Sequence, residues 1–476
     1  MTLPPMNPTP VHASIAQLSA ALRAGLLTSE QLVQAQLDRA RRLDGRLHAF
    51  IELYADEALA NARALDALRR AGTTLGPLHG VTVAVKDLFE IEGRCITGGA
   101  SALPARRSTL DATVVRRLRA AGAVLIGKTH TVEHAFGGWG TNATMGTPWN
   151  PWDMAMHRVP GGSSSGSAVA VSAGMASAAL GTDTGGSVRI PAGLCGLTGL
   201  KTTHGLISRH GLIELCPTHD TIGPLARSAE DAALLLDAMA GPDPADPVSR
   251  LSPVRRVAGE QLQRPVAGLR AWVLPAAERE HVSPEVLAGY DAALQAFQRL
   301  GLQLVERALP QPLAEAMALA GELMSAEGYV QLGPLYERED LNWDPHVRRR
   351  ILLGRQTSAA RYQQLLRARA QAMAAMTAAM DGIDVCLFPT NAISAIPVAE
   401  VDELATPLSR LGRFVNWLDL CALALPVGLS PQGLPVSLQV IGRPLAEPLI
   451  LRVGHAFQQA TEWHLAVPPG LQESAA

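Results

Sequence analysis

Lys86 ends an apolar run, VTVAV at 81–85. A lysine at the end of a buried strand is costly as a cation and tends toward the neutral amine, which can accept a proton. Downstream lie two glycine-serine clusters, at 161–167 and 185–187, joined by small apolar residues, and no charged side chain occurs from 159 to 182. A stretch so free of charge is expected to be buried. The hydroxyls of Ser163, Ser164, Ser165, Ser167, Ser172, Ser177 and Ser187 then each need a partner. A buried serine becomes a nucleophile when a base stands beside it. Thr184, Gly185, Gly186 and Ser187 offer consecutive backbone N–H groups without bulky side chains, as an oxyanion hole requires. These residue types point to Ser187 as nucleophile, served by Lys86.

Other readings of the same residues are weaker. Alone, GGSSSGS is a flexible linker and Lys86 is a strand-end lysine paired with its neighbour Asp87; the second cluster favours catalysis over both. Residues 162–166 fit G-x-S-x-G, which would make Ser164 the nucleophile of an α/β-hydrolase elbow, but that motif needs a strand before it and NPWDMAMHRVP is not one. Asp183-Thr184-Gly185 matches the D-T-G of aspartic proteases without a second copy or a β-rich chain, and neither glycine cluster ends in G-K-[ST]. His130 and His134 are spaced like two helical ligands but lie in GKTHTVEHAFGG; a loop or lining role is favoured and no metal is expected.

PGGSSSGSA, GTDTGGSVRIPA and CGLTGLK together resemble the signature of the amidase signature family, and GPLHGVTVAVKD resembles its lysine segment. The resemblance runs from about residue 75 to 225 and resumes at DVCLFPT and LPVSLQVIGRP. It implies a triad of Lys86 as base, Ser163 as a bridging serine held by a cis peptide, and Ser187 as nucleophile, with Ser163 24 positions before Ser187 as the family pattern requires. It also implies oxyanion amides from Thr184, Gly185, Gly186 and Ser187, and support from Ser164, Asp183 and Arg189. Ser165 departs from the glycine common in the family. The expected activity is hydrolysis of a carboxylic amide, urea or carbamate C–N bond through a serine acyl-enzyme, without metal or organic cofactor. The alternative is an amidotransferase A-type subunit that releases ammonia from glutamine within a complex.

The elements must position these groups. Residues 1–10 hold four prolines and read as a flexible lead, and three helices are expected before residue 75, the second opened by a capping box of Thr28 and Gln31. Strand 81–85, helix 111–121 and strand 123–127 alternate as in an α/β fold with a largely parallel sheet. Residues 136–156 form a long loop, from which Phe136, Trp139 and Met145 are candidates for the substrate pocket; Asn416 and Trp417 are equally apt for core or pocket. Helix 228–240, then strand, helix and strand over 269–306 with Ser283 as N-cap, precede a helical stretch to 380, and strands return at 384–389 and 433–440. The fold expected is α/β: a large central mixed sheet with helices on both sides, a helical N-terminal lead-in and a helical excursion in the middle. The divisions are 1–75 (helical lead-in), 76–240 (core with catalytic residues), 241–380 (helical middle region or cap) and 381–476 (returning strands and helix).

Composition limits the function classes. The 476 residues carry a net charge of −2, and Arg348, Arg349 and Arg350 are the only basic triplet, so nucleic acid is not an expected partner. Five cysteines without a C-x-x-C suggest neither disulfides nor zinc and point to a reducing compartment. The first residues lack a signal-peptide pattern, and the least polar stretch, 168–180, is too short to span a bilayer. The expectation is a cytoplasmic enzyme acting on a small-molecule amide, away from membranes, with room for a homodimer.

Overall fold

Thr28 and Gln31 do cap a helix: the Thr28 hydroxyl accepts from the Gln31 N–H, and the Gln31 side chain accepts from the Thr28 N–H, opening Ser29–Leu47. Ser14 and Gln17 repeat the device ahead of Ile15–Arg23, and the third helix is Ala55–Arg70. The computed structural model describes residues 10–102, 106–249, 252 and 256–471, so the proline-rich lead at 1–9 lies outside the described residues.

Thirteen strands are described. They are β1 (Phe50–Leu53), β2 (Thr82–Lys86), β3 (Cys95–Ile96), β4 (Arg106–Arg107), β5 (Val124–Thr129), β6 (Ala178–Asp183), β7 (Thr198–Lys201), β8 (Thr221–Ala226), β9 (Arg270–Val273), β10 (Gln303–Glu306), β11 (Val385–Pro389), β12 (Cys421–Leu429) and β13 (Pro435–Gly442). All but the β3/β4 pair join one sheet in the order β1-β5-β2-β6-β8-β7-β12-β13-β11-β9-β10. β2 pairs in parallel with β5 and β6, and β9 with β10 and β11, while the other six pairings are antiparallel. The sheet is therefore mixed. The largely parallel arrangement that strand-helix alternation suggests holds only around β2 and β9, because β7, β8, β12 and β13 pair antiparallel through the centre.

Helices cover both faces, and strand pleating explains how one sheet serves two cores. On β2, Val83 and Val85 join the cluster that holds Ile15–Arg23, Thr113–Ala120 and Ala229–Met239 residues, whereas Ala84 joins the cluster of Ser29–Leu47 and Ser165–Ser172. Ser283 precedes Pro284–Arg299 as expected, yet its hydroxyl caps nothing; Pro284 starts that helix. Of the stretch 241–380, β9 and β10 join the central sheet, and Leu313–Tyr336, Pro345–Leu353 and Ala359–Ala379 are helical. Among the described residues no helix is long and apolar enough to cross a membrane.

Candidate active site

β2 and β6 lie side by side in parallel, so their carboxyl ends open at the same edge of the sheet, where ligands bind in open α/β sheets. Lys86 is the last residue of β2, and Asp183 the last of β6. Thr184, Gly185, Gly186 and Ser187 turn from β6 toward the short helix Arg189–Leu194. Gly186 has φ +118°, and a Cβ there would stand 2.7 Å from Ile190, so only glycine makes this turn. Ser163 and Ser164 immediately precede the buried helix Ser165–Ser172, and the Gly162–Ser163 peptide is cis.

Lys86 is fully buried, and its Nζ stands 2.8 Å from Ser163 Oγ, 3.1 Å from Ser164 Oγ and 2.8 Å from Thr182 Oγ1. It forms no ion pair with a described residue. Its neighbour Asp87 instead pairs with Lys128 at 3.3 Å, which removes the salt-bridge reading of Lys86. Burial pulls the Lys86 amine down to about 7, against the opposing pull of Asp183 and Asp220. A neutral amine has two N–H donors and one lone pair. Ser164 Oγ already donates to the Thr182 carbonyl at 3.3 Å, so it accepts from the amine, as Thr182 Oγ1 can; the lone pair is left for the Ser163 proton.

Ser187 joins this group through its backbone, its carbonyl accepting from the Ser164 N–H at 3.2 Å. Its side chain lines a cavity, and its hydroxyl makes no hydrogen bond to a described residue. The Lys86–Ser163 link is thus formed, and the Ser163–Ser187 link is not. Hydrogen bonds between catalytic groups often tighten only when substrate is bound.

Asp183 and Arg189 hold the turn. Both are buried, joined by Arg189 Nη2 and Nε, each 3.0 Å from an Asp183 oxygen. Asp183 Oδ1 also accepts from the Gly186 N–H at 2.8 Å, so that amide is engaged, whereas the N–H groups of Gly185 and Ser187 have no acceptor among the described residues. Burial alone would raise the Asp183 carboxyl; the Arg189 guanidinium overrides it and holds the group far below the usual range. Arg189 Nη1 donates to Gln439 Oε1 at 2.8 Å, and Nη2 is shared with the Gly412 carbonyl at 3.1 Å and Asn416 Oδ1 at 2.8 Å. Thr184 Oγ1 donates to Asp220 at 2.6 Å. Breaking such a buried pair costs about 3–5 kcal/mol. Arg189→Met is accordingly expected to lower the unfolding free energy by about that much, read from the shift in urea midpoint; an unchanged midpoint would show that the pair does not hold the turn.

The cavity at Ser187 is narrow, with about 20 Å³ of open volume, room for roughly one water, and is walled by Phe136, Trp139, Ile190, Met324 and Arg413. Phe136, Arg350, Thr406 and Arg413 also line a neighbouring, larger cavity of about 550 Å³. Of the three pocket candidates, Phe136 and Trp139 line the inner cavity. Met145 does not; its sulfur lies 3.8 Å from Thr97 Oγ1. Asn416 bonds Asp183 and Arg189 instead of facing the cavity, and Trp417 is core. Sequence reasoning missed Thr182, Met324, Arg350 and Arg413. Thr182 could have been found from its place one residue before Asp183; the other three carry no local signal.

The sequence model of the family described as Amidase matches residues 31–451. The chain is 38% identical over 486 residues to the A-type subunit of the glutamyl-tRNA(Gln) amidotransferase of Chloroflexus aurantiacus, covering 96% of this chain and 98% of that protein. The peptide amidase of Stenotrophomonas maltophilia superposes with a TM-score of 0.81 at 32% identity, covering 94% of this chain and 97% of that one. A protein from a vestigial complex that bears on the origins of an s-triazine catabolic enzyme superposes with a TM-score of 0.87 at 31% identity, covering 94% and 98%.

Proposed function

The chain belongs to the amidase signature family, and from that premise we propose that it cleaves a carboxamide, or a related urea or carbamate, through an acyl-enzyme on Ser187. The observation that carries this reading is the buried Lys86 amine bonded to Ser163 within the loop cluster that also holds Ser187. Neutral Lys86 takes the Ser163 proton as Ser163 takes that of Ser187, and Ser187 Oγ adds to the carbonyl carbon. The N–H groups of Gly185 and Ser187 receive the developing oxyanion; Thr184 completes the turn, and the Gly186 N–H braces it through Asp183. Ser163 returns the proton to the leaving nitrogen as the C–N bond breaks. Water then attacks the ester by the same relay, releasing the acid and restoring Ser187. Five unpaired cysteines support a reducing compartment such as the cytoplasm.

A second reading has the same chemistry and a specific observation in its favour. Several curated relatives are A-type subunits of an amidotransferase at 37–39% identity over nearly the whole chain, a closer likeness than the 32% to the peptide amidase. On that reading the carboxamide is that of glutamine, the released ammonia is passed on, and the chain works within a larger complex. Co-purifying partner chains and a glutaminase activity that depends on them would favour it over a free-standing amidase.

The nucleophile is tested by an organofluorophosphonate. The reagent is expected to label Ser187, read by mass spectrometry of the digested protein. Labelling of Ser164 would overturn the assignment, and the structure argues against that outcome, since Ser164 is fully buried and faces Lys86 and Thr182.

A further inference from the structure

Four arginines and two glutamates face the two cavities, and the glutamates are already engaged. Both oxygens of Glu322 are held by Arg361 at 2.7 Å, and Glu403 by Arg350 at 2.6 Å. Arg413, in the wall common to both cavities, has no carboxylate partner among the described residues; its one hydrogen bond there runs from Nη1 to the Met317 carbonyl at 3.5 Å. A half-buried guanidinium without a counter-ion is costly. Burial, together with repulsion from Arg350, already draws Arg413 down to about 10.

This arginine is placed by the same parts that place Ser187. Its Cγ lies against Gly185, where a Cβ would come within 3.0 Å, and its Nη1 lies over Gly321, where a Cβ would come within 2.7 Å. The carbonyl of the residue before it, Gly412, accepts from Arg189 Nη2, and Asn416, one turn on, bonds both Asp183 and Arg189. The buried ion pair that holds the Ser187 turn thus also fixes the backbone of Arg413.

We infer that the amide this enzyme cleaves carries a carboxylate, received by the Arg413 guanidinium while the scissile carbonyl meets Ser187. A planar fork of donors fits a carboxylate with two parallel hydrogen bonds, and the half-buried setting of Arg413 strengthens them. The inference rests on the Ser187 reading above and narrows its substrate class. Glutamine falls within that class, as do simpler amide acids.

The test compares kcat/KM for malonamate, succinamate and glutaramate with the values for propionamide, butyramide and valeramide, in which a methyl replaces the carboxylate; glutamine is a fourth anionic probe. Wild-type protein is expected to favour at least one carboxylate amide over its neutral match by about 100-fold, mainly through KM. Arg413→Met is expected to cut that ratio below about 10, and Arg413→Lys to retain part of it. Equal or better turnover of the neutral amides by wild-type protein overturns the inference without recourse to any variant. If wild-type protein turns over none of the panel, binding decides: Ser187→Ala protein is titrated with the four carboxylates by calorimetry, and failure to bind any of them overturns it. Fluorophosphonate labelling separates the two levels, because labelled Ser187 with no carboxylate preference sinks only the inference, whereas unlabelled Ser187 sinks the reading beneath it.

Discussion

Ser187→Ala is expected to lower kcat/KM by about four to six orders of magnitude on any amide that the wild-type protein hydrolyses, because the acyl-enzyme cannot form without the Oγ. What remains is the catalysis that positioning and oxyanion stabilisation provide on their own. The same substitution should leave the fold nearly untouched. The Ser187 hydroxyl makes no hydrogen bond to a described residue and faces a cavity, so its loss strands no buried partner. The variant should therefore unfold within about 1 kcal/mol of wild type while losing its activity. Steady-state kinetics and urea unfolding on one preparation check both halves. Retention of more than about 1% of wild-type activity would place the nucleophile elsewhere.

The parts of this site that depend on local pattern could be read from sequence, and the parts that depend on distant elements could not. Lys86 at the end of a β-branched run, and serines flanked by glycines at a fixed spacing, carry their signal within a few residues. Arg413 carries none. Its place in the wall of the Ser187 cavity depends on a hydrogen bond that ties Arg189 to Asn416, more than two hundred residues apart in sequence. The same division holds for the fold. β2 and β5 were legible as buried apolar runs. β6 is built of Ala, Leu, Gly, Thr and Asp, β8 carries Gly223 and Pro224, and the register of β12 shifts beside Pro426, so none looks like a strand in isolation. Those strands supply most of the antiparallel pairing, which is why alternation of strand and helix near residue 100 suggested a more parallel sheet than the one observed.

Lys86→Met is expected to reduce kcat/KM by about 10³-fold or more, since a positioned general base contributes about 10² to 10⁴ and this one activates two hydroxyls in series. The pH dependence gives the sharper test. Burial brings the Lys86 amine to about 7, and only its neutral form has a lone pair for the Ser163 proton. Wild-type kcat/KM should therefore reach a plateau above that pH and fall about tenfold per unit below it as the amine protonates. Lys86→Arg, a permanent cation, should not restore the rate, which separates a proton acceptor from a mere positive charge. A second group competes for the same inflection: Glu133, two residues before the cavity wall begins at Ala135, is pushed up by burial to about 7 while bonded to Tyr336 and the Asp344 N–H. The two are distinguished by the residual activity of Lys86→Met. If Lys86 is the titrating base, that residual rate is flat across about pH 6 to 8; if the inflection survives the substitution, the titration belongs to another group, Glu133 or the Thr184-bonded Asp220, and the proton relay through Lys86 is wrong.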